Sequence, residues 1–374
     1  MKVKRLYVIN FRNYQDCCLE ISSMVNIFYG QNAQGKTNLL EAMFYAAFGM
    51  SHRTSQEDDL LRLETEQLAV GVNFEDLHGA NDVKIKRQHL DGKNKKELFL
   101  NDVKVKPKEH YGTLNMVMFS PEDLQLIKGE PSLRRRFFDM QISQTDKVYY
   151  DLLLKYNRVL QQRNKLLKDI RDNGTDDKLL ATWDQEFVLI AAKILEKRLS
   201  AMQKLKAIAR EIYAALTGNL EALTIFYEMK ANNGELLYPE EKCDWLEFYK
   251  NKLAERRQLD ILRGSTGIGP HRDDLLFKVN DKVLKAFGSQ GQQRSAALAV
   301  KLAQLEYVRQ EIDEFPVLLL DDVMSELDDQ RRCQLLKFID GRVQTFITVN
   351  DKSLIPDLSS NAYFRITEGR IAEE

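Results

Sequence analysis

With 374 residues, 44% hydrophobic and 30% charged, the chain is long enough for two lobes and apolar enough for real cores. A formal net charge of −1 excludes a globally basic nucleic-acid binder, so any grip on a polyanion must come from local patches. Cys17, Cys18, Cys243 and Cys333 form no C-x-x-C pair, which argues against a disulfide framework and a zinc site.

Residues 1–30 read as β, with "RLYVINF" and "VNIFYG" as two runs and no apolar leader before them. No window holds about 18 uninterrupted apolar residues, so neither a signal peptide nor a membrane span is expected, and the cytoplasm is the expected home. Gly30-Gln31-Asn32-Ala33-Gln34-Gly35-Lys36-Thr37 follows the second run. Leu39, Leu40, Met43, Phe44, Ala47 and Phe48 then fall at helical spacing, and Gly49 supplies a stop. Residues 68–119 alternate as antiparallel strands, with tight turns at Asp91-Gly92 and Asn101-Asp102.

After "SPEDL" at 120–124 the character becomes helical. Apolar residues over Lys147–Arg171 and again over 179–216 predict two long amphipathic helices. "DNGTDD" at 172–177 breaks between them, which makes an antiparallel helical hairpin. A helical run at 240–262 and a hairpin-like "LLFKVNDKVLKAF" follow. The end returns to α/β: "VLLLDD" as a buried strand, a helix over 329–340, "QTFITVN" as a strand, and a closing hairpin in "AYFRITEGRIAEE".

The segment 30–37 fits G-x-x-x-x-G-K-[ST] between a strand and a helix. Glycines there let successive N–H groups face phosphate oxygens, and the helix adds its positive end. Lys36 reaches the β- and γ-phosphates of ATP, and Thr37 offers its hydroxyl to Mg²⁺. Such a loop needs an acid at the end of a neighbouring strand. Asp321 is the expected metal partner, and Asp322 is placed to polarise an attacking water. Much more chain separates Lys36 from Asp321 than a simple kinase uses, so a second lobe intervenes.

"AFGSQGQQRSAALA", Ala286–Ala299, packs no core and closes no hairpin. It carries a hydroxyl at Ser289, a close-approach glycine at Gly291, and the opening of a long helix. That is a second anion site in a chain with one nucleotide loop. A two-fold dimer solves this economically, each loop's γ-phosphate being capped by the other copy's Ser289 segment.

In order, "GQNAQGKT", "GSQGQQR", "LLLDDVMSELD" and "FITVND" resemble the Walker A, signature, Walker B with D-loop, and switch segments of an ABC-type ATPase head. With "LYVINFRNY" and "STGIGPHRDDL", the chain resembles the RecF family of ABC/SMC-type ATPases from Arg5 to Ile371. The resemblance implies an α/β fold: an ABC-type P-loop ATPase head (lobe I, a mixed sheet around the P-loop helix) with a helical lobe II containing the hairpin. Lobe I is expected over 1–120 plus 296–374, and lobe II over 121–295 with the signature at its end. It further implies that Gly30 to Thr37 bind the nucleotide together with Arg12 and Asn13. Ser289, Gly291 and Gln292 act as the signature in trans, Ser325 and Asp328 as the D-loop, and Asn350 as the switch. Lys36 and Asp322 are the implied catalytic residues, and Thr37 and Asp321 the implied metal ligands.

Three departures stand out. Gln290-Gly291 replaces the usual Gly-Gly, Asp322 stands where ABC proteins in general carry Glu, and Asn350 replaces the transporters' histidine. A shorter catalytic side chain implies slow turnover.

The resemblance also implies binding to gapped DNA and single-strand/double-strand junctions, an ATP-dependent homodimer with weak DNA-stimulated ATPase activity, and RecO and RecR as partners in loading RecA. Independently, segment 82–110 holds nine Lys/Arg against five Asp/Glu, and 147–172 seven against three. Lys84, Lys86, Arg87, Arg134, Arg135 and Arg136 are the candidate phosphate contacts. The arginine triplet has a second reading, holding the lobe junction through Asp139 or Glu130. His271-Arg272-Asp273-Asp274 reads as packing rather than metal or acid–base chemistry. Two other functions stay open: an SMC-like structural head, disfavoured by the short hairpin, and the ATPase subunit of a transporter, disfavoured by Asn350.

Overall fold

The computed structural model describes residues 1–90, 93–230, 236–239, 243–355 and 360–373. The chain divides into two compact units, Met1–Asp123 with Lys301–Glu374, and Leu124–Val300. In chain order the strands are β1 (Lys2–Phe11), β2 (Tyr14–Glu20), β3 (Val25–Tyr29), β4 (Gln67–Asp76), β5 (Gly79–Leu90), β6 (Lys93–Leu100), β7 (Val103–Val105), β8 (Met116–Phe119), β9 (Leu223–Lys230), β10 (Leu236–Leu237), β11 (Asp274–Val279), β12 (Lys282–Val283), β13 (Val317–Asp321), β14 (Thr345–Val349), β15 (Asn361–Thr367) and β16 (Arg370–Glu373). The longer helices are α1 (Lys36–Phe48), α2 (Pro131–Thr145), α3 (Lys147–Asn173), α4 (Leu180–Leu216), α5 (Trp245–Arg263), α6 (Gln290–Ile312) and α7 (Asp329–Ile339).

The first unit holds two six-stranded sheets. One is antiparallel, in the order β2-β1-β4-β5-β6-β7. A register shift between Val3 and Arg5 lets both Val3 and Leu6 reach the core despite their odd spacing. The turn at Asn101-Asp102 has φ of 52° and 61°, as a two-residue hairpin demands. The Asp91-Gly92 turn lies outside the described residues.

The second sheet runs β16-β15-β3-β14-β13-β8 and is parallel except at β16. Strands β8, β13 and β14 are buried along their whole length, which is why "VLLLD" and "TFITV" read as unbroken runs. Strand β8, expected with the alternating antiparallel strands of 68–119, is instead parallel to β13 and belongs to this sheet because both its faces are covered. The register sets Asp321 beside Thr348, Thr348 beside Phe28 and Val349 beside Tyr29. Three carboxyl ends, those of β3, β14 and β13, therefore open on one edge, where ligands of such sheets bind. Helix α1 leaves that edge and is buried almost all round, Glu41 included.

In the second unit, α3 and α4 form an antiparallel hairpin. Asp146 meets Lys197, the Tyr156 and Phe187 rings sit 5.2 Å apart, and Arg163 bonds Asp184 at 2.7 Å. Gly174, at φ 66°, ends α3 in a left-handed turn. The helices have 27 and 37 residues, about 40 and 55 Å at ~1.5 Å per residue. A four-stranded sheet, β10-β9-β11-β12, completes the unit. The stretch 275–287 departs from a simple hairpin: β12 is two residues long, and Leu284–Phe287 coil into one helical turn. Helix α5 begins at Trp245 with Asp244 as its cap. Residues 240–242, where the sequence pattern starts this helix, lie outside the described residues.

Buried arginines hold the Gly269–Asp274 loop. Arg198, 2% exposed, bonds Asp139, the Tyr227 hydroxyl and the Pro270 carbonyl. Losing one partner of such a buried pair costs on the order of 3–5 kcal/mol. His271 is wedged against Tyr156 and Phe187, its Nδ1 2.6 Å from the Tyr156 hydroxyl. Burial lowers it to about 4, so the ring is neutral near pH 7. Among the described residues no group of three metal-binding side chains occurs, and no helix is long and apolar enough to cross a membrane.

Candidate functional site

The loop Gly30–Gly35 connects β3 to α1, and its backbone explains its glycines. Gly30 sits at φ 148°, and a Cβ there would lie 2.4 Å from the Ile366 carbonyl oxygen. Gly35 sits at φ 115°, with a Cβ position 2.5 Å from Asn13 Nδ2. Gly30 is closed to any side chain by the facing backbone, and Gly35 by a φ that side chains strain to adopt. The loop is braced from outside. Asn13 Nδ2 donates to the Gln34 carbonyl at 3.0 Å, Tyr14 to that of Gly35 at 3.1 Å, and the Glu368 N–H to Gln34 Oε1 at 2.7 Å. Helix α1 has no acidic residue in its first turn and no side-chain cap. Its leading N–H groups and positive end are thus left without a capping side chain of their own.

Lys36 folds back over this loop. Its Nζ donates to the Gly30 carbonyl (2.6 Å), the Gln31 carbonyl (2.8 Å) and Asn350 Oδ1 (3.0 Å). Burial lowers the pKa of this amine, against the opposing charges of Asp322 and Asp321. Asn350 lies just past β14, so loop and switch candidates meet through one ammonium.

The acids form the second half. Asp321 Oδ1 accepts from Thr37 Oγ1 at 2.8 Å and from Thr348 Oγ1 at 2.7 Å. Burial raises the Asp321 carboxyl, opposed by these two hydroxyls. Thr348 Oγ1 also accepts the Asp322 N–H at 2.9 Å, so one hydroxyl orients both acids. Asp322 adopts φ 51°, a left-handed conformation that Asp tolerates better than most residues. Ser325 Oγ donates to its carbonyl at 2.8 Å and to its Oδ1 at 3.1 Å. Asp328 caps α7 through the Arg331 N–H.

The sequence pattern did not single out Thr348 or Glu41. Thr348 sits on β14 directly across from Asp321, a pairing visible only once strand order is known. Glu41, fully buried in α1, takes Arg12 Nε at 2.9 Å and Nη2 at 2.8 Å, with Ser51 at 2.6 Å. Burial alone would raise its carboxyl, but Arg12, Ser51 and the charge of Arg53 hold it below the ordinary value. Arg12, itself at φ 53°, is thereby fixed beside the site, with Nη1 on the Asp59 carbonyl.

Ser289 and Gln292, in the second unit, form a capping box at the start of α6. Gln292 N–H donates to Ser289 Oγ at 3.2 Å, and Ser289 N–H to Gln292 Oε1 at 2.9 Å. Ser289 is exposed.

The basic candidates divide. Two are corrected. Arg87 is 1% exposed and paired with Asp58 and Glu57, and it shares strand parity with buried Val83 and Ile85. Arg134 is also buried, its guanidinium on both Asp274 oxygens at 2.7 and 2.8 Å. Neither can reach a phosphate. Its partner is Asp274, not Asp139 or Glu130; Asp139 belongs to Arg198. Arg135 is half-buried and donates to the Asp273 carbonyl, whereas Arg136 is exposed. On the other face of β5, Lys86 is exposed over the Phe99 ring and Lys84 pairs with Asp102.

The comparisons with known proteins agree with one another. The family described as RecF/RecN/SMC N terminal domain matches residues 2–371. The DNA replication and repair protein RecF of Natranaerobius thermophilus is 43% identical over 350 residues, covering 93% of this chain and 91% of that protein. A solved structure of the recombination mediator protein RecF with ATP, in the RecFOR pathway, superposes with a TM-score of 0.90 at 36% identity, covering 100% of this chain and 97% of that one. The Smc head domain of Pyrococcus furiosus shares the fold alone, with a TM-score of 0.56 at 15% identity over 100% of this chain and 96% of that one.

Proposed function

The chain belongs to the RecF family within the RecF/RecN/SMC group, and from that premise we propose that it is an ATP-dependent recombinational repair protein whose bound nucleotide closes two copies on gapped or junction DNA. The carrying observation is the set Lys36–Asn350 and Thr37–Asp321–Thr348–Asp322, gathered at the carboxyl edge of a parallel sheet. That arrangement offers a cation and free helix amides to a triphosphate on one side, and two oriented acids on the other.

The roles follow from position. Loop residues Gly30 to Gly35 and the first turn of α1 cradle the phosphates, with Asn13 and Arg12 bracing the rim. Lys36 exchanges its carbonyl partners for β- and γ-phosphate oxygens. Asp322 takes the proton of the attacking water. Ser289, Gly291 and Gln292 of one copy cap the γ-phosphate on the other, while Ser325 and Asp328 line the path between them. Asn350 senses the γ-phosphate by hydrogen bonding, since an amide does not titrate near neutrality.

A divalent cation fits the acidic side. The Thr37 hydroxyl and the Asp321 carboxylate already touch, and both are hard oxygen donors of the kind Mg²⁺ prefers. Held by those two residues, Mg²⁺ would neutralise charge developing on the phosphate oxygens.

DNA contact fits the exposed lysine face of β5 and the hairpin better than the buried arginines. Backbone contacts of this kind give salt-dependent, sequence-independent binding. RecO and RecR are the expected partners, with RecA loading as the outcome. The test is ATP turnover with and without gapped duplex, alongside sedimentation. Gapped DNA is expected to raise turnover and to favour the nucleotide-dependent dimer, both effects weakening with salt. Turnover indifferent to DNA would oppose this reading and favour a transporter-type subunit.

A further inference from the structure

The start of α6 is tied to the far end of the hairpin by an unbroken polar relay. Tyr213, fully buried near the C-terminus of α4, donates its hydroxyl to Glu221 Oε2 at 2.7 Å. Glu221 Oε1 accepts from Gln292 Nε2 at 2.7 Å. Gln292 Oε1 accepts the Ser289 N–H at 2.9 Å, and Ser289 Oγ accepts the Gln292 N–H at 3.2 Å. Glu221 is held in place by the turn that ends α4. Gly218 and Asn219 are both left-handed there, and the Asn219 N–H closes on the Ala214 carbonyl at 2.8 Å. The neighbouring Ala222 N–H is fixed by Asn280 Oδ1 at 3.0 Å.

The chemistry of each link has one direction. A carboxylate only accepts, so Glu221 takes the NH₂ end of the Gln292 amide and compels its carbonyl end to face Ser289. That carbonyl satisfies the Ser289 N–H internally. The Ser289 oxygen already accepts one backbone N–H, which leaves its proton, with one lone pair, for a group outside the segment. The relay thus fixes the place of the Ser289 oxygen and leaves its O–H free to donate to a phosphate brought up to it. It also explains an otherwise costly feature. A carboxylate stands beside a helix start that the proposed function reserves for an anion, yet its charge is spent on Tyr213 and the Gln292 amide.

We propose that Glu221 is a positioning residue for the trans-acting cap: through Gln292 it fixes the Ser289 hydroxyl for the partner's nucleotide, and through Tyr213 it couples that cap to the end of the helical hairpin. The inference rests on the two-copy reading above. Glu221 itself touches no nucleotide.

Glu221→Ala breaks the relay, whereas Glu221→Gln can keep it, with Tyr213 accepting from the new amide. Sedimentation with ATP is expected to show Glu221→Ala needing about tenfold more nucleotide to dimerise, the cost of one lost charged hydrogen bond. Binding of a fluorescent ATP analogue to its monomer is expected to be unchanged. Glu221→Gln is expected to behave as wild type, which also controls for folding. At an ATP concentration too low for Glu221→Ala alone to dimerise, mixing it with Lys36→Ala copies is expected to restore hydrolysis, because both lesions then fall in one of the two composite sites. The inference is overturned if Glu221→Ala dimerises like wild type, if its monomer loses nucleotide affinity, or if mixing restores nothing. Ser289→Arg separates the two levels. Should it dimerise normally with ATP, the two-copy reading itself fails and takes the inference with it. Should it fail while Glu221→Ala succeeds, the inference alone is wrong.

Discussion

Lys36→Ala is expected to lower ATP hydrolysis by about a thousandfold and to abolish nucleotide-dependent dimerisation. The Lys36 ammonium is the positive side chain lodged at the loop, and it reaches Gly30, Gln31 and Asn350 at once. Its burial matters, since a cation in a partly desolvated site attracts phosphate oxygen more strongly than one in water. Alanine also severs the loop from the switch, because Asn350 then faces no donor on α1. The fold should survive. Gln34 and Gly35 are braced by Asn13, Tyr14 and Glu368 rather than by the lysine. Turnover assays and sedimentation with ATP would check both effects, and thermal unfolding close to wild type would confirm that the loss is local.

Asp322→Asn is expected to act in the opposite sense on assembly. Hydrolysis should fall by about a hundred- to a thousandfold, while the ATP-bound dimer accumulates rather than disappears. A carboxamide cannot take a proton from water, yet its oxygen can still accept from Ser325, and the backbone N–H bond to Thr348 is unaffected. Asparagine also tolerates the left-handed conformation at this position. The geometry is therefore retained and only the base is lost. Single-turnover hydrolysis together with sedimentation distinguishes this from Lys36→Ala, where both quantities fall.

Much of the site was legible in the sequence because its parts are local. A strand, glycines at fixed spacing and a helix start are enough to place Gly30–Thr37, and an apolar run ending in two acids places Asp321 and Asp322. The parallel strands β13 and β14 were readable as unbroken buried runs, whereas β8 was not: the pattern of 68–119 groups it with the antiparallel strands before it, and only pairing with β13 shows it to be parallel. What remained hidden depends on pairing between distant segments. Thr348 becomes important only because β14 lies beside β13, and Glu221 only because the turn after α4 meets the start of α6. Glu41 carries no signal of its own among the apolar residues of 39–48, yet α1 is buried almost all round and the carboxylate is the anchor for Arg12. The arginines misled for a related reason. Counting charge along 82–110 ignores strand parity, and parity puts Arg87 on the same buried face as Val83 and Ile85. Arg134 likewise serves Asp274, more than a hundred residues away in the chain.

The most direct measurement mixes two inactive variants, Lys36→Ala and Ser289→Arg, and follows ATP hydrolysis. If one triphosphate is shared between two copies, mixed pairs carry one ruined site and one intact site, and activity returns on mixing. If the mixture stays as inactive as its components, or if Ser289→Arg alone hydrolyses ATP at the wild-type rate, the nucleotide is not held between two chains and the account is contradicted.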